Sequence, residues 1–269
     1  MRVALLAAAV GVAGAAYYVR RTGRRRANLR NCKLTYFPLS SRAEAVRLAL
    51  TLADIPFVDV RLSFPEWGKV KPTTPWGSLP FLVLADGTLV GQSRAITRLV
   101  GKGTGLYPST DDLLAALVDE CMDGADDIMS VTNREGQGLP GPEKIQKREA
   151  ACKEGGVTYV AVQRVEALYA RASERFGAPG PFLTGELSIA DLYVFSATGH
   201  TVCGFFDGVT PAFLAAFPRL QAVRRAVSTM PKLVEYYEAE ATKPYNELNI
   251  GGELVGPQYQ KLLQSSRAA

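Results

Sequence analysis

The period of the apolar pattern changes once along this chain, and that change limits the architecture more than any other feature. Before Gly101, short apolar runs with strand character alternate with helical segments. They read as strand 33–37, helix 41–53, strand 57–62, a loop with Trp67, strand 81–84, strand 88–90 and helix 92–100. Ala85-Asp86-Gly87 supplies a hairpin turn between the last two strands. Beyond Ser109 the strand signal is gone. Leu113, Leu114, Leu117, Val118, Cys121 and Met122 repeat at helical spacing, and 142–175 reads as one long helix with Val157, Val160, Val165 and Leu168 on its apolar face. A βαβ unit followed by ββα makes a small mixed sheet covered by helices, and an all-helical domain follows it. GKGTGLYPST (101–110), punctuated by Gly and Pro, holds the linker. The expected limits are 31–101, a linker at 102–108, 109–240, and a polar C-terminal extension at 241–269.

Two capping boxes are legible. Ser41-Arg42-Ala43-Glu44 opens the first helix, and Ser188-Ile189-Ala190-Asp191 opens a very apolar helix through Leu192, Tyr193, Val194 and Phe195, the expected core of the second domain.

The formal charge of +5 is unevenly placed. Residues 1–43 hold nine basic side chains and no acidic one, so the remaining 22 Lys and Arg face all 26 Asp and Glu. The body is therefore acidic, and no nucleic-acid partner is expected. The leader contains an uncharged run of seventeen residues, Val3 to Val19, followed by five arginines from Arg20 to Arg26. As a helix it would be about 25 Å long, at the short end of a bilayer span. A secretory signal fits poorly, because its charge should precede the apolar run. A mitochondrial presequence suits the Arg-rich, acid-free stretch at 17–31. The reading carried forward is a retained transmembrane helix at residues 3–19 within an anchor and basic flank, 1–30. The body then lies on the cytosolic or matrix side. The mitochondrial inner membrane is favoured, with the endoplasmic reticulum as the alternative.

Cys32, Cys121, Cys152 and Cys203 are scattered without CxxC spacing, which points to neither a disulfide frame nor zinc. His200 is the only histidine, so HExxH chemistry is excluded, and no GxSxG accompanies it. Packing or surface is its expected role.

Six stretches share order and spacing with one family: LTYF (34–37), SRAEAVRL (41–48), PEWGKVKPTTPWGSLPFL (65–82), DGTLVGQSRAITRLV (86–100), VDECMDGADDIMS (118–130) and LTGELSIADL (183–192). With these motifs the chain resembles the cytosolic glutathione transferase superfamily over roughly residues 33–240. It is most similar to the sigma-type members, the branch that includes haematopoietic-type prostaglandin D synthases. The resemblance implies a thioredoxin-like domain followed by a helical domain, with glutathione as co-substrate and an unidentified electrophile as its partner.

It also implies site residues. Tyr36 matches the catalytic tyrosine, which stabilises the glutathione thiolate, and Arg42 matches an arginine beside it. Phe37 follows the tyrosine as a glutathione-binding position. Trp67 and Lys71 match a pair at the glycine end of glutathione. Leu79 precedes Pro80, which resembles the fold's cis-proline, and its backbone would pair with the cysteinyl part. Gln92 and Ser93 match residues at the γ-glutamyl end, and Asp127 matches an acidic residue reaching that end from a second subunit. Ser78 stands where family members often carry lysine or glutamine. Related enzymes hold a divalent cation near the positions of Asp123, Asp126 and Asp127; a solvated acidic interface, without a metal, is the expectation here. The acceptor would lie between the Tyr36 loop, residues 126–141 and the C-terminal segment, where VTNREGQGLP (131–140) offers few aromatic side chains. An accessory subunit of a membrane complex, respiratory or ATP synthase, is the alternative to an enzyme. A homodimer or membership of such a complex is expected.

Overall fold

A computed structural model describes residues 26–177 and 180–241. The predicted anchor at 3–19 and the extension beyond 241 lie outside the described residues. Among the described residues, no helix is long and apolar enough to cross a membrane. The expected membrane localisation is therefore withdrawn.

The first half begins with β1 (Cys32–Tyr36), α1 (Ser41–Leu52) and β2 (Phe57–Arg61), then α2 (Phe64–Val70), β3 (Phe81–Val83), β4 (Leu89–Gly91) and α3 (Ser93–Thr104). The sheet order is β2-β1-β3-β4, with β1 parallel to β2 and β3 antiparallel to both β1 and β4. Leu34 and Leu82 face each other in register, both fully buried. Helix α1 is covered on nearly every side: Ala43 through Leu50 are all buried, the charged Glu44 and Arg47 included. It lies between the sheet and the second half.

Fully buried Arg47 needs counter-charges. It has Glu44 at 3.1 Å, Asp59 at 3.0 Å and the Leu39 carbonyl at 2.9 Å. Burial works against its charge, but the two carboxylates outweigh it and hold the guanidinium above its ordinary range.

The second half is helical, with α4 (Asp112–Arg134), α5 (Gly141–Cys152), α6 (Val157–Phe176), α7 (Ile189–Thr201), α8 (Pro218–Ser228) and α9 (Pro231–Ala241). All thirteen residues of α7 are buried, so the expected core helix is the core. Its capping box is present. Asp191 accepts from the Ser188 amide at 2.8 Å and hydroxyl at 2.6 Å, and also from the Leu183 amide at 3.0 Å and the Tyr169 hydroxyl at 2.7 Å. Burial pushes this carboxyl upward, against the pull of the four donors.

Four local expectations need correction. The Ser41–Glu44 box does not form, because Glu44 is buried and bonds the Tyr237 hydroxyl at 2.8 Å as well as Arg47. Strong buried partners outcompete a reach back to one amide. The stretch holding Trp67 is not a loop: Ser63 and Glu66 form a capping box that opens α2. Helix α3 passes through Gly101 and Gly103 to Thr104. A Cβ on Gly101 would sit 2.9 Å from Ile189 Cγ2, so this glycine permits a close approach and does not end the helix. Finally, 142–175 is two helices. They are separated where Gly155 adopts φ +80° and Gly156 begins the second.

Candidate active site

Three of the expected residues meet at one end of the sheet. Thr35 pairs with Phe81, and Phe81 pairs with Gly91. One further residue along those registers sets Tyr36, Pro80 and Gln92 side by side across β1, β3 and β4. At strand spacing this row spans about 10 Å. Two helices start from the same end: α1 follows Tyr36 after a short turn, and α3 begins at Ser93 immediately after Gln92. Their leading N–H groups and dipoles favour an anion there. Gln92 holds φ +69° as the N-cap of α3, a conformation that costs a side-chain-bearing residue energy. The Leu79–Pro80 peptide is cis.

Tyr36 is 5% exposed. Its ring meets that of Phe37 edge-on at 5.6 Å, and Phe37 in turn packs against Phe64 at 4.8 Å and Trp67 at 6.3 Å. Trp67 on α2 is thereby connected to the tyrosine through one ring. Lys71 lies exposed one turn further on, in a short 3-10 turn (Lys71–Thr73). Exposed Gln92 and half-buried Ser93 complete the far end of the row.

Arg42 joins the two halves. Its Nε donates to Asp126 at 3.0 Å and its Nη2 to Ser130 at 2.9 Å, both on α4. Burial opposes the charge, the Asp126 carboxylate outweighs it, and the arginine stays protonated above its ordinary range; Tyr36 lies within its electrostatic reach. Asp126 also accepts from the Tyr193 hydroxyl at 3.0 Å, which itself lies 3.4 Å from Ser93 Oγ. A polar chain therefore runs from Ser93 to Arg42 beneath the row.

Asp127 points elsewhere, exposed on α4, while Asp123 pairs with Arg94 at 2.7 Å. Among the described residues no His, Cys, Asp or Glu cluster could hold a metal ion.

Beside Tyr36 opens a cavity of about 190 Å³. Phe37, Leu39, Phe64 and Phe205 give it apolar walls, and Arg42, Asn133 and His200 give it polar ones. The aromatic side chains absent from 131–140 are thus supplied by Phe64 and Phe205. His200 is packed, as expected: it is 5% exposed, meets Phe206 edge-on at 5.1 Å, and its Nε2 lies 3.2 Å from Asn133 Oδ1. Burial, assisted by Arg42, lowers its pKa to about 4. Asp126, Ser130 and Asn133 recur at i, i+4 and i+7 on α4, and Tyr193 and His200 at i and i+7 on α7. That spacing was the available signal for Tyr193 and His200, which the sequence reading left out of the site, whereas Asp126, Ser130 and Asn133 fall in the expected 126–141 stretch. Cys32 is fully buried, and burial raises its pKa to about 11, which suits an inert thiol.

The family profile described as "Glutathione S-transferase, C-terminal domain" matches residues 147–240. A hematopoietic prostaglandin D synthase from Gallus gallus is 31% identical over 208 residues, which cover 77% of this chain and 96% of the relative. The chain belongs to the glutathione S-transferase family.

Solved structures agree with the assignment. The prostaglandin synthase D of Nilaparvata lugens superposes with a TM-score of 0.63 at 27% identity, over 77% of this chain and 97% of that one. A sigma class transferase from Fasciola hepatica gives 0.62 at 27% identity, over 80% and 98%. The α/β half is the thioredoxin-like domain of this family, followed by its helical C-terminal domain. As a member, the chain is a glutathione transferase with glutathione as its co-substrate. The expected alternative, a quiet accessory subunit of a mitochondrial membrane complex, finds no support among these relatives.

Proposed function

We propose that this transferase is of sigma type and that Tyr36 activates the glutathione sulfur for attack on an apolar electrophile. The row Tyr36–Pro80–Gln92 carries the reading. Its span of about 10 Å equals the reach of three extended residues, the size of glutathione. In this arrangement the sulfur lies at Tyr36, and the cysteinyl backbone runs along Leu79 as an added strand. The γ-glutamyl carboxylate meets the start of α3 at Gln92 and Ser93. The glycine carboxylate meets Lys71, under Trp67. Asp127 serves the γ-glutamyl amine of a second copy in a homodimer. The glutathione-binding half runs from 31 to the end of α3 at Thr104, and the helical half is 109–240.

The chemistry asks little of the protein beyond charge placement. A thiol with an ordinary pKa near 8.5 is mostly protonated at neutral pH. Depressing it by two units requires about 2.7 kcal/mol of preference for the anion. A Tyr36 hydroxyl donating to sulfur supplies roughly 1.5–3 kcal/mol, and the Arg42 cation adds to it. The thiolate then forms the carbon–sulfur bond while the electrophile's leaving group departs with the displaced electron pair. A second reading is isomerisation of a lipid peroxide, favoured by the aromatic cavity wall and by the activity named for the Gallus gallus relative.

The test is conjugation of a chlorodinitrobenzene together with retention on immobilised glutathione. Tyr36→Phe is expected to lower kcat by about 10–100-fold while retention persists. An unchanged rate would refute the role of Tyr36.

A further inference from the structure

Helix α7, buried along its whole length, brings one hydroxyl up beneath the row of Tyr36, Pro80 and Gln92. Tyr193 is fully buried, and its phenol oxygen lies 3.0 Å from Asp126 Oδ1 and 3.4 Å from Ser93 Oγ. It has one proton to give. Burial and the Asp126 carboxylate hold its pKa far above the ordinary phenol value, so that proton stays on at neutral pH. A carboxylate is the stronger acceptor, so the phenol donates to Asp126. Its oxygen is then left to accept from the Ser93 hydroxyl. The same Asp126 Oδ1 takes the Arg42 Nε at 3.0 Å, while Ser130 Oγ takes Nη2 at 2.9 Å. Two bonds therefore fix the plane of the guanidinium, on a side chain that lines the cavity beside Tyr36. One of their two acceptors is itself held by Tyr193.

We propose that Tyr193 is a positioning residue that serves both ends of bound glutathione. At the sulfur end it fixes the Asp126 carboxylate, and with it the Arg42 cation, where that charge favours the thiolate. At the γ-glutamyl end it holds the Ser93 hydroxyl at the start of α3. Without the phenol oxygen, Asp126 is free to turn about its side-chain bonds, Arg42 follows it, and Ser93 loses its anchor. Tyr193 touches no reacting atom; it acts through the two residues that do. The other charged or titratable groups near the sulfur end are Arg47, 5.9 Å from the Tyr36 ring centroid, and neutral His200 on the cavity wall. Neither bonds Tyr193, so both keep their places when its hydroxyl is removed.

This inference rests on the thiolate reading above, and Y36F tells the two apart. The readout is kcat/KM for a chlorodinitrobenzene at saturating glutathione, followed against pH in the native protein, Y193F and Y169F. Tyr169 is a matched control, because its buried phenol donates to the buried Asp191 carboxylate at 2.7 Å, away from the site. In Y193F the limb that reports thiol ionisation is expected to move up by about 0.5–1 pH unit, the worth of one ordinary hydrogen bond. The rate then falls about 3–10-fold near neutral pH and recovers by about pH 9, where the thiol ionises unaided. The KM for glutathione rises about 2–5-fold, and rises no further when Y193F is added to S93A. In Y169F the limb and the KM stay where they are. An unmoved limb in Y193F, an equal shift in Y169F, or KM rises that multiply in the double variant overturns the proposal. If Y36F leaves the native rate unchanged, the thiolate reading falls and takes the proposal with it. If Y36F slows conjugation while Y193F leaves the limb in place, only the proposal falls.

Discussion

Replacing Asp191 gives a graded test of how the second half is held together. Its two oxygens take four bonds, two from backbone amides (Ser188 and Leu183) and two from hydroxyls (Ser188 and Tyr169). Each oxygen serves one amide. In D191N the oxygen of the new carboxamide can satisfy only one of them, and its NH₂ faces the other. One buried N–H is therefore orphaned whichever way the amide turns, at roughly 1–3 kcal/mol. D191A strands both amides and opens a small cavity, for about 3–5 kcal/mol. Against a usual total of roughly 5–15 kcal/mol, the alanine variant is expected to be marginal. Urea unfolding followed by far-ultraviolet circular dichroism gives both values. The reasoning is refuted if D191A costs less than 1 kcal/mol, or if D191N costs as much as D191A.

Gly101→Ala is expected to destabilise by about 1–3 kcal/mol, although alanine is the better helix former, because its methyl would press on Ile189 at 2.9 Å; a rise in Tm would contradict this. Acid sensitivity should follow His200. Its folded pKa of about 4 lies below the ordinary value of 6.5, so the unfolded chain binds the extra proton between them. That contribution is complete above about pH 6.5 and is lost as pH falls towards 4, up to roughly 3 kcal/mol. Stability curves measured at several pH values should flatten over that window in H200Q, and parallel curves would exclude the residue as the cause. If Asp127 serves a second copy, Asp127→Ala raises the KM for glutathione several-fold while the sedimentation of the dimer is unchanged. A native protein sedimenting as a monomer would refute the homodimer.

What the sequence disclosed depended on how far apart the interacting residues lie. The Ser188–Asp191 box closes within four residues, and its pattern could be read directly. The Ser41–Glu44 pattern looked equivalent, yet Glu44 answers to Tyr237 at the far end of the chain, and no local rule anticipates that. Gly101 carried the composition of a linker because its purpose, the approach of Ile189, belongs to another element. In the site, Tyr36 and Arg42 share one cavity, and Pro80 and then Gln92 follow the tyrosine along one side of the sheet. On the acceptor side the Tyr36 loop and the 126–141 stretch were legible, and the aromatic walls were missed for the same reason as Gly101. The cavity walls come from α2, α4, α7 and the segment after α7, and Phe64, Asn133, His200 and Phe205 share no contiguous motif.

The bond from Tyr237 on α9 to Glu44 also bears on the order in which the molecule can be completed. Tyr237 supplies a bond to Glu44, Glu240 to Arg61 and Lys232 to Asp54, so the last described helix finishes the first domain. Glu44 leaves the ribosome 193 residues ahead of its phenol partner. At roughly 5–20 residues per second, about 10–40 s of synthesis separate the two. Throughout that interval the nascent first domain holds a carboxylate that is built to be buried and has not yet met the group that covers it.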